Sequence, residues 1–243
     1  MARIFITGSA DGLGQLSAKL LVEQGHQVVL HARNTARGSY AMSKVPGAEY
    51  VLTGDLSSIR ETIELADKVN SSGSFDAVIH NAGVYQTSAK NIFMVNTLAP
   101  YILTCLVQRP RRLVYMSSGM HLYGHVKLAS FRENIDNITY SDSKLHVLML
   151  SLVIARRWPD VYSNAVNPGW VPTRMGGRGA PDDLLKGCET QAWLAVSNDE
   201  KAMVSGHYFF HREERHYNPE AGDNALQEKF LDLCKEITGV SFP

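Results

Sequence analysis

At 243 residues the chain is long enough to bury a sizeable core and falls within the range of one α/β domain. Lys plus Arg and Asp plus Glu balance at 24 each, so no overall field points to nucleic acid, a membrane surface or a polyanion, and the expected partner is a small molecule. Cys105, Cys188 and Cys234 are odd in number and far apart, which argues against a disulfide framework or a zinc ribbon and suits a reducing, cytoplasmic setting. The start carries no basic, apolar and cleavage regions of a leader, and no run of about 18 apolar residues occurs, so a soluble chain without a membrane segment is expected. No repeat or linker divides it. Residues 1–243 should form a single domain.

In chain order, residues 3–7 read as a short apolar strand, followed by Gly8-Ser9-Ala10-Asp11-Gly12-Leu13-Gly14 and a helical pattern through Leu16, Leu20, Leu21 and Val22. Glycines at 8, 12 and 14 let the backbone turn tightly and approach a pyrophosphate, whose charge then meets free N–H groups at the helix start. A second strand, residues 28–32, ends in His31-Ala32-Arg33-Asn34. An acid near this point would favour the ribose hydroxyl of NAD, whereas an Arg accommodates the 2′-phosphate of NADP. Arg33 therefore predicts NADP(H) in preference to NAD(H), with Ser9 and Asn34 as helpers. His31 is a second contact or a strand-end residue.

Residues 50–53 form a third strand ending at Gly54-Asp55-Leu56-Ser57, where Asp55 either meets an adenine amine or caps the next helix, and Ser57 or Ser58 can also cap it. A fourth strand, residues 77–79, leads to His80-Asn81-Ala82-Gly83, small enough for backbone to approach a ribose. Residues 90–108 are helical but interrupted at Asn96 and Pro100, which predicts a kink or bulge. A fifth strand, 112–116, delivers Ser117-Ser118-Gly119 to the strand end, and 120–139 is polar and irregular, with His121 and His125 in the loop or substrate pocket. Residues 161–167 and 206–210 are strands six and seven. Between them Pro168-Gly169-Trp170-Val171-Pro172-Thr173 makes a stiff turn that opens a lid over about 172–185, and 223–239 is a terminal amphipathic helix.

The sharpest chemical signal is Tyr140-Ser141-Asp142-Ser143-Lys144, opening an apolar helix. Side chains four apart share a helix face, so the phenol and the ammonium can address one site, and the charge should draw the phenol down from its usual value near ~10.

Together these residues resemble the short-chain dehydrogenase/reductase family over nearly the whole chain. Thr7, Gly8, Gly12 and Gly14 match its TGxxxGxG pattern, Asn81-Ala82-Gly83 its NNAG with His80 replacing the first Asn, and Tyr140 with Lys144 its YxxxK. Asn96 matches the family's active-site asparagine, Ser118 its catalytic serine, and Pro168-Gly169 with Val171 and Thr173 its nicotinamide-side motif. The tail around Asn218-Pro219-Glu220 is similar to the retinol-dehydrogenase-like and protochlorophyllide-reductase-like branches. The resemblance implies a doubly wound Rossmann fold with a seven-stranded parallel sheet and helices on both faces. It further implies hydride transfer between a nicotinamide and a carbonyl or alcohol, with Tyr140 as acid and base, Lys144 lowering its pKa and holding the ribose, Ser118 stabilising the alkoxide, and Asn96 positioning a water; no metal is required. The apolar helix after Tyr140 needs cover on more than one face. A second copy, in a homodimer or homotetramer, supplies it, or else the 120–139 loop or the tail does so within one subunit. The alternative function is an NADP-binding redox sensor or regulator without turnover.

Overall fold

Unbroken apolar runs decide the sheet, because a strand covered on both faces has no polar side to show. Ile4, Phe5 and Ile6 of β1 (Arg3–Ile6) and Val28, Val29 and Leu30 of β2 (Gln27–Ala32) are wholly buried. They sit beside β3 (Tyr50–Thr53), β4 (Ala77–His80), β5 (Arg112–Met116), β6 (Tyr162–Asn167) and β7 (Tyr208–Phe210), in the order β3-β2-β1-β4-β5-β6-β7, all parallel. This computed structural model describes residues 1–243, apart from the side chains of residues 132 and 133.

One strand was not expected. The sheet has eight strands rather than seven, because β8 (Glu213–Glu214) folds back antiparallel on β7, pairing Phe209 with Glu214 and Phe210 with Glu213. His211 and Arg212 make the hairpin turn at φ 51° and 63°. Turns of this hand usually announce themselves by glycine or asparagine, and here neither is present.

Helices cover both faces. On one, Ala18 and Leu21 of α1 (Gly12–Glu23), Ala41 of α2 (Thr35–Lys44) and Ala192 and Leu194 of α8 (Leu184–Val196) pack with Ile4, Ile6, Val28 and Leu30. On the other, Leu65 of α3 (Ile59–Ser71), Tyr101 of α5 (Ala99–Leu106), Leu148 of α7 (Tyr140–Arg157) and Phe230 of α9 (Asn224–Thr238) pack with Phe5, Val78 and Tyr115. The break anticipated near Asn96 is a π turn, Met94–Leu98, between α4 (Ala89–Phe93) and α5. Pro100 falls in the first turn of α5, where a missing N–H removes no helical bond. The expected lid ends at Asp183, which caps α8 by accepting from Leu185 and Lys186 N–H. α2 and α8 had no counterpart among the sequence expectations.

Every residue of α7 from Ser141 to Ile154 is buried. The chain covers this helix itself, with the 3-10 turns Gly119–Tyr123 and Pro219–Gly222, α9 and the π turn packed around it. Of the two sources of cover left open by the sequence, the structure uses the one within the subunit. Among the described residues, no helix is long and apolar enough to cross a membrane.

The chain runs outward from β1 to β3, then crosses back to place β4 on the other side of β1. Strand order reverses there, so the carboxyl ends of β1 and β4 diverge into a crevice, the usual ligand position in an open α/β sheet.

Candidate active site

The crevice is sewn together by side-chain bonds to backbone. Asn81 Nδ2 donates to Thr7 O (3.0 Å) and Gly8 O (3.2 Å), and Ala82 N donates to Thr7 Oγ1 (3.0 Å). A Cβ on Gly14 would strike the Asn81 amide and the Gly8 carbonyl, and one on Gly8, whose φ is 64°, would lie 2.8 Å from Ala82 Cα. These glycines are therefore required by close approach, and the start of α1 sits bare in the crevice, with first-turn N–H groups that lack intrahelical acceptors. Asp11 caps that start by accepting from Gly12 N (2.8 Å). The Leu13 side chain turns inward against α8, where a Cβ on Gly187 would meet it at 3.2 Å.

His31 is not a ligand contact but a strut. Its Nδ1 accepts from Gly8 N (2.9 Å), so Nε2 carries the proton and donates to Gly54 O (3.0 Å), and burial pushes its pKa down to about 4. Ser9 corrects a second expectation. Its hydroxyl donates to Ile6 O (2.9 Å) and accepts from His31 N (2.8 Å), and its own N–H donates to His31 O, so it is fully buried and committed to the turn rather than to a phosphate. Arg33 stands exposed at the end of β2, while Asn34 caps α2 through Arg37 N (3.0 Å). Arg37, one turn along, reaches Asp11 at 3.5 Å and so brings a second guanidinium to the glycine turn. The sequence signal for it was present, an Arg four residues beyond Arg33. Asp55 accepts from Ser57 N and Oγ, and the cap of α3 is Ser58, so the capping reading passes to the serine. Leu56 is buried in the core.

α7 begins with a capping box, Thr139 with Asp142, which fixes where Tyr140 and Lys144 point. The Tyr140 hydroxyl lies where Ser118 pulls its pKa down, its ring packs 4.7 Å from that of Tyr85, and the Lys144 Nζ lies 5.4 Å from its ring centre. Lys144 Nζ donates to Met116 O (2.8 Å) and lies where a Cβ on Gly83 would sit 3.3 Å away. Burial pushes Lys144 down to about 8. Burial also pushes Tyr140 up to about 12, against the opposing pull of Ser118. Burial thus moves the phenol in the direction opposite to the pull expected from the ammonium.

Asn96 is held on every side. Both its amide hydrogens are taken, by Val84 O (3.0 Å) and Ser143 Oγ (3.0 Å), and its Oδ1 accepts from Val84 N (2.8 Å). The side chain braces the segment after β4 against α7.

The turn after β6 closes the far wall. Gly169 N donates to Asn167 Oδ1 (3.0 Å), Trp170 N to Asp182 Oδ2 (2.6 Å) and Trp170 Nε1 to Gly176 O (2.8 Å), folding 168–183 into a clipped loop. Thr173 lies beside Gly12, and Val171 and the Pro168 carbonyl lie against Gly187 on α8. His121 is fully buried and His125 is exposed, pairing with Glu220 at 2.8 Å, so these two do not share a site.

A strand, a glycine turn and a helix start at a switch point, with a phenol and an amine one turn apart beside it, define a dinucleotide-binding α/β protein. The chain belongs to the short-chain dehydrogenase family, whose model matches residues 2–183, and it is an oxidoreductase of that family with a nicotinamide cofactor. It is 46% identical to an uncharacterized oxidoreductase of Emericella nidulans, covering 100% of this chain and 99% of the relative. Retinol dehydrogenase 14 of Mus musculus is a more distant relative, 27% identical over 98% of this chain and 86% of its own. Among solved structures, an uncharacterized protein from Mycobacterium paratuberculosis superposes with a TM-score of 0.82 at 22% identity, covering 100% of this chain and 95% of the other. The glycine cradle fits a dinucleotide, since Gly8 and Gly14 leave open the helix start that any side chain would crowd.

Proposed function

We propose that the protein is an NADP(H)-dependent reductase of apolar ketones or aldehydes, running in reverse as an alcohol dehydrogenase, with Tyr140 as the proton donor. The observation that carries this reading is the half-buried Tyr140 hydroxyl, placed where Ser118 acts on it, with the Lys144 ammonium one helical turn away. The cofactor supplies the hydride. Tyr140 keeps its proton at neutral pH and gives it to the carbonyl oxygen as charge develops there; the reaction thus consumes one hydride and one proton and leaves a phenolate to be reprotonated from solvent. Ser118, whose hydroxyl accepts from Met120 N (3.2 Å) and keeps its proton free, donates to the same oxygen, and that bond strengthens as the alkoxide forms. Lys144 spends one N–H on Met116 O and keeps two for ribose hydroxyls.

The pyrophosphate is assigned to the glycine turn at residues 8–12 and the first-turn N–H groups of Leu13 and Gly14, the adenosine side to Asp55 and the backbone of Leu56, the ribose to Asn81, Ala82 and Gly83, and the nicotinamide to Pro168, Gly169, Val171 and Thr173. Arg33 and Arg37 clamp the 2′-phosphate, a bidentate task suited to guanidinium. The substrate class is argued from exposure. Of the nine large hydrophobic side chains that remain exposed among the described residues, Tyr85, Met120, Leu122, Tyr123, Trp170 and Met175 lie on three loops at the carboxyl edge of the sheet. An apolar rim of that kind marks a binding surface. Three free thiols fit a reducing, cytoplasmic compartment.

The test is NADPH consumption by the native chain against ketones and aldehydes graded in size, with NADH alongside. Faster turnover with NADPH and with larger apolar carbonyls supports the reading. NADPH binding without turnover on any carbonyl contradicts it and favours the regulatory alternative.

A further inference from the structure

Ser118 has to hold its hydroxyl at Tyr140, and it sits at the end of β5 in extended backbone (φ −165°, ψ 155°), where the hydroxyl caps the next turn by accepting from Met120 N (3.2 Å). Its carbonyl, and with it the backbone that aims the side chain, is fixed by His121. In the 3-10 turn Gly119–Tyr123, residues three apart eclipse, so Ser118, His121 and Gly124 share the inner face while Met120, Leu122 and Tyr123 face out. The His121 backbone N–H donates to Ser118 O (3.1 Å), and Nδ1 lies 2.6 Å from the same oxygen. Nε2 lies 3.3 Å from Asn218 N, which can only donate, so Nε2 is the acceptor and the proton sits on Nδ1. Two partners therefore set the tautomer and aim the ring. Its face is closed by Tyr208, edge-on at 4.6 Å.

The other half of this device comes from the far end of the chain. Asn218 Nδ2 donates to Gly124 O (2.9 Å) and His121 O (3.4 Å), and Glu220 accepts from Val126 N (2.9 Å) while pairing with His125. The Asn218-Pro219-Glu220 turn is thus bonded along 121–126, directly behind the serine.

We propose that His121 is a positioning residue for Ser118 and that the Asn218–Glu220 turn is the latch that holds His121 in place. The inference rests on the catalytic reading of Ser118 given above. The latch acts on the orientation of one hydroxyl and leaves the glycine cradle untouched, so its loss appears in kcat and not in cofactor affinity.

Three variants test it: His121→Phe, which keeps ring size and removes both bonds; His121→Asn, whose amide N–H can reach Ser118 O; and Asn218→Ala. NADPH affinity is read by fluorescence, and kcat and KM with a ketone that the native chain reduces. The expected result is a kcat about tenfold or more lower in His121→Phe with NADPH Kd and ketone KM within about twofold, recovery to within about threefold in His121→Asn, and an intermediate kcat loss in Asn218→Ala. The inference is overturned if His121→Phe keeps native kcat, if His121→Asn is as slow as His121→Phe, or if the loss falls in Kd or KM. Should His121→Phe fail to fold, the same split and order are read from His121→Asn and Asn218→Ala, and a native-like Asn218→Ala then overturns it. A native chain that reduces no carbonyl removes the catalytic reading and this inference with it; a native chain that turns over while the variants miss the pattern removes the inference alone.

Discussion

The two walls of the crevice are built differently. The cofactor wall, from β1 to β4, is held by close backbone approach: a strand end, three glycines, and clips from the Asn81 amide and the His31 imidazole onto the backbone of the glycine turn. The substrate wall, from β5 onward, is held by side chains that pin its loops, with Asn218 on His121 and Glu220 on Val126 from the far end of the chain and Asp182 on Trp170 within one loop. The first wall serves a ligand of fixed shape and leaves little to vary. The second is a set of loops pinned at a few points, so changes between the pins can alter the pocket without disturbing the sheet.

Substitutions on either wall should therefore fail in different ways. The largest effect is expected from Gly14→Val, whose side chain collides with the Asn81 amide and the Gly8 carbonyl; NADPH affinity should fall by about a hundredfold, read by fluorescence titration, and native affinity would break the comparison. Lys144→Met, at the seam between the walls, should lower kcat by about a hundredfold. The native enzyme should show the same dependence as a pH limb: burial sets Lys144 at about 8, so carbonyl reduction falls as pH rises through that value and the ammonium is lost, whereas a level profile to high pH would detach Lys144 from the chemistry. Arg33→Asp should cut the preference for NADPH over NADH by about thirtyfold, the worth of a charge-assisted bond, with little change in NADH turnover. An unchanged preference would move the phosphate clamp to Arg37.

The smallest effect on activity, and the clearest on stability, belongs to the substrate wall. Burial alone would raise the Asp142 pKa, but bonds from His125, Lys127 and Thr139 outweigh it and hold the carboxyl below its usual value. A depressed folded value contributes stability above the unfolded pKa, and that contribution is lost as pH falls through the folded one. Asp142→Asn should cost about 2 kcal/mol at neutral pH and progressively less in acid, measured by denaturant melts. A cost independent of pH would mean that shape rather than charge is being lost.

The same contrast governs what could be read in advance. The parallel strands were legible because burial on both faces leaves unbroken apolar runs, and the glycine turn, Tyr140 and Lys144 were legible because their spacing is local. The interruption at Asn96 was visible as a residue that breaks helical rules, although its amide turned out to be a brace. Ser9 looked like a helper at the phosphate, and His31 could be read as a contact or a strand-end residue, because a strand end faces the crevice; only the fold shows both turned inward. β8 was hidden by a hairpin without glycine. α2, with weak apolar content, and α8, directly abutting the loop after β6, lacked a clear periodic stripe. The links from Asn218 and Glu220 join residues about a hundred positions apart, and no local pattern encodes such a meeting.

The account stands most directly on the phenol of Tyr140. Tyr140→Phe removes one oxygen and keeps the ring against Tyr85, so NADPH should bind as it does to the native chain while ketone reduction falls by about a hundredfold to ten-thousandfold. Native turnover in that variant, with NADPH bound, would contradict the assignment of the proton donor.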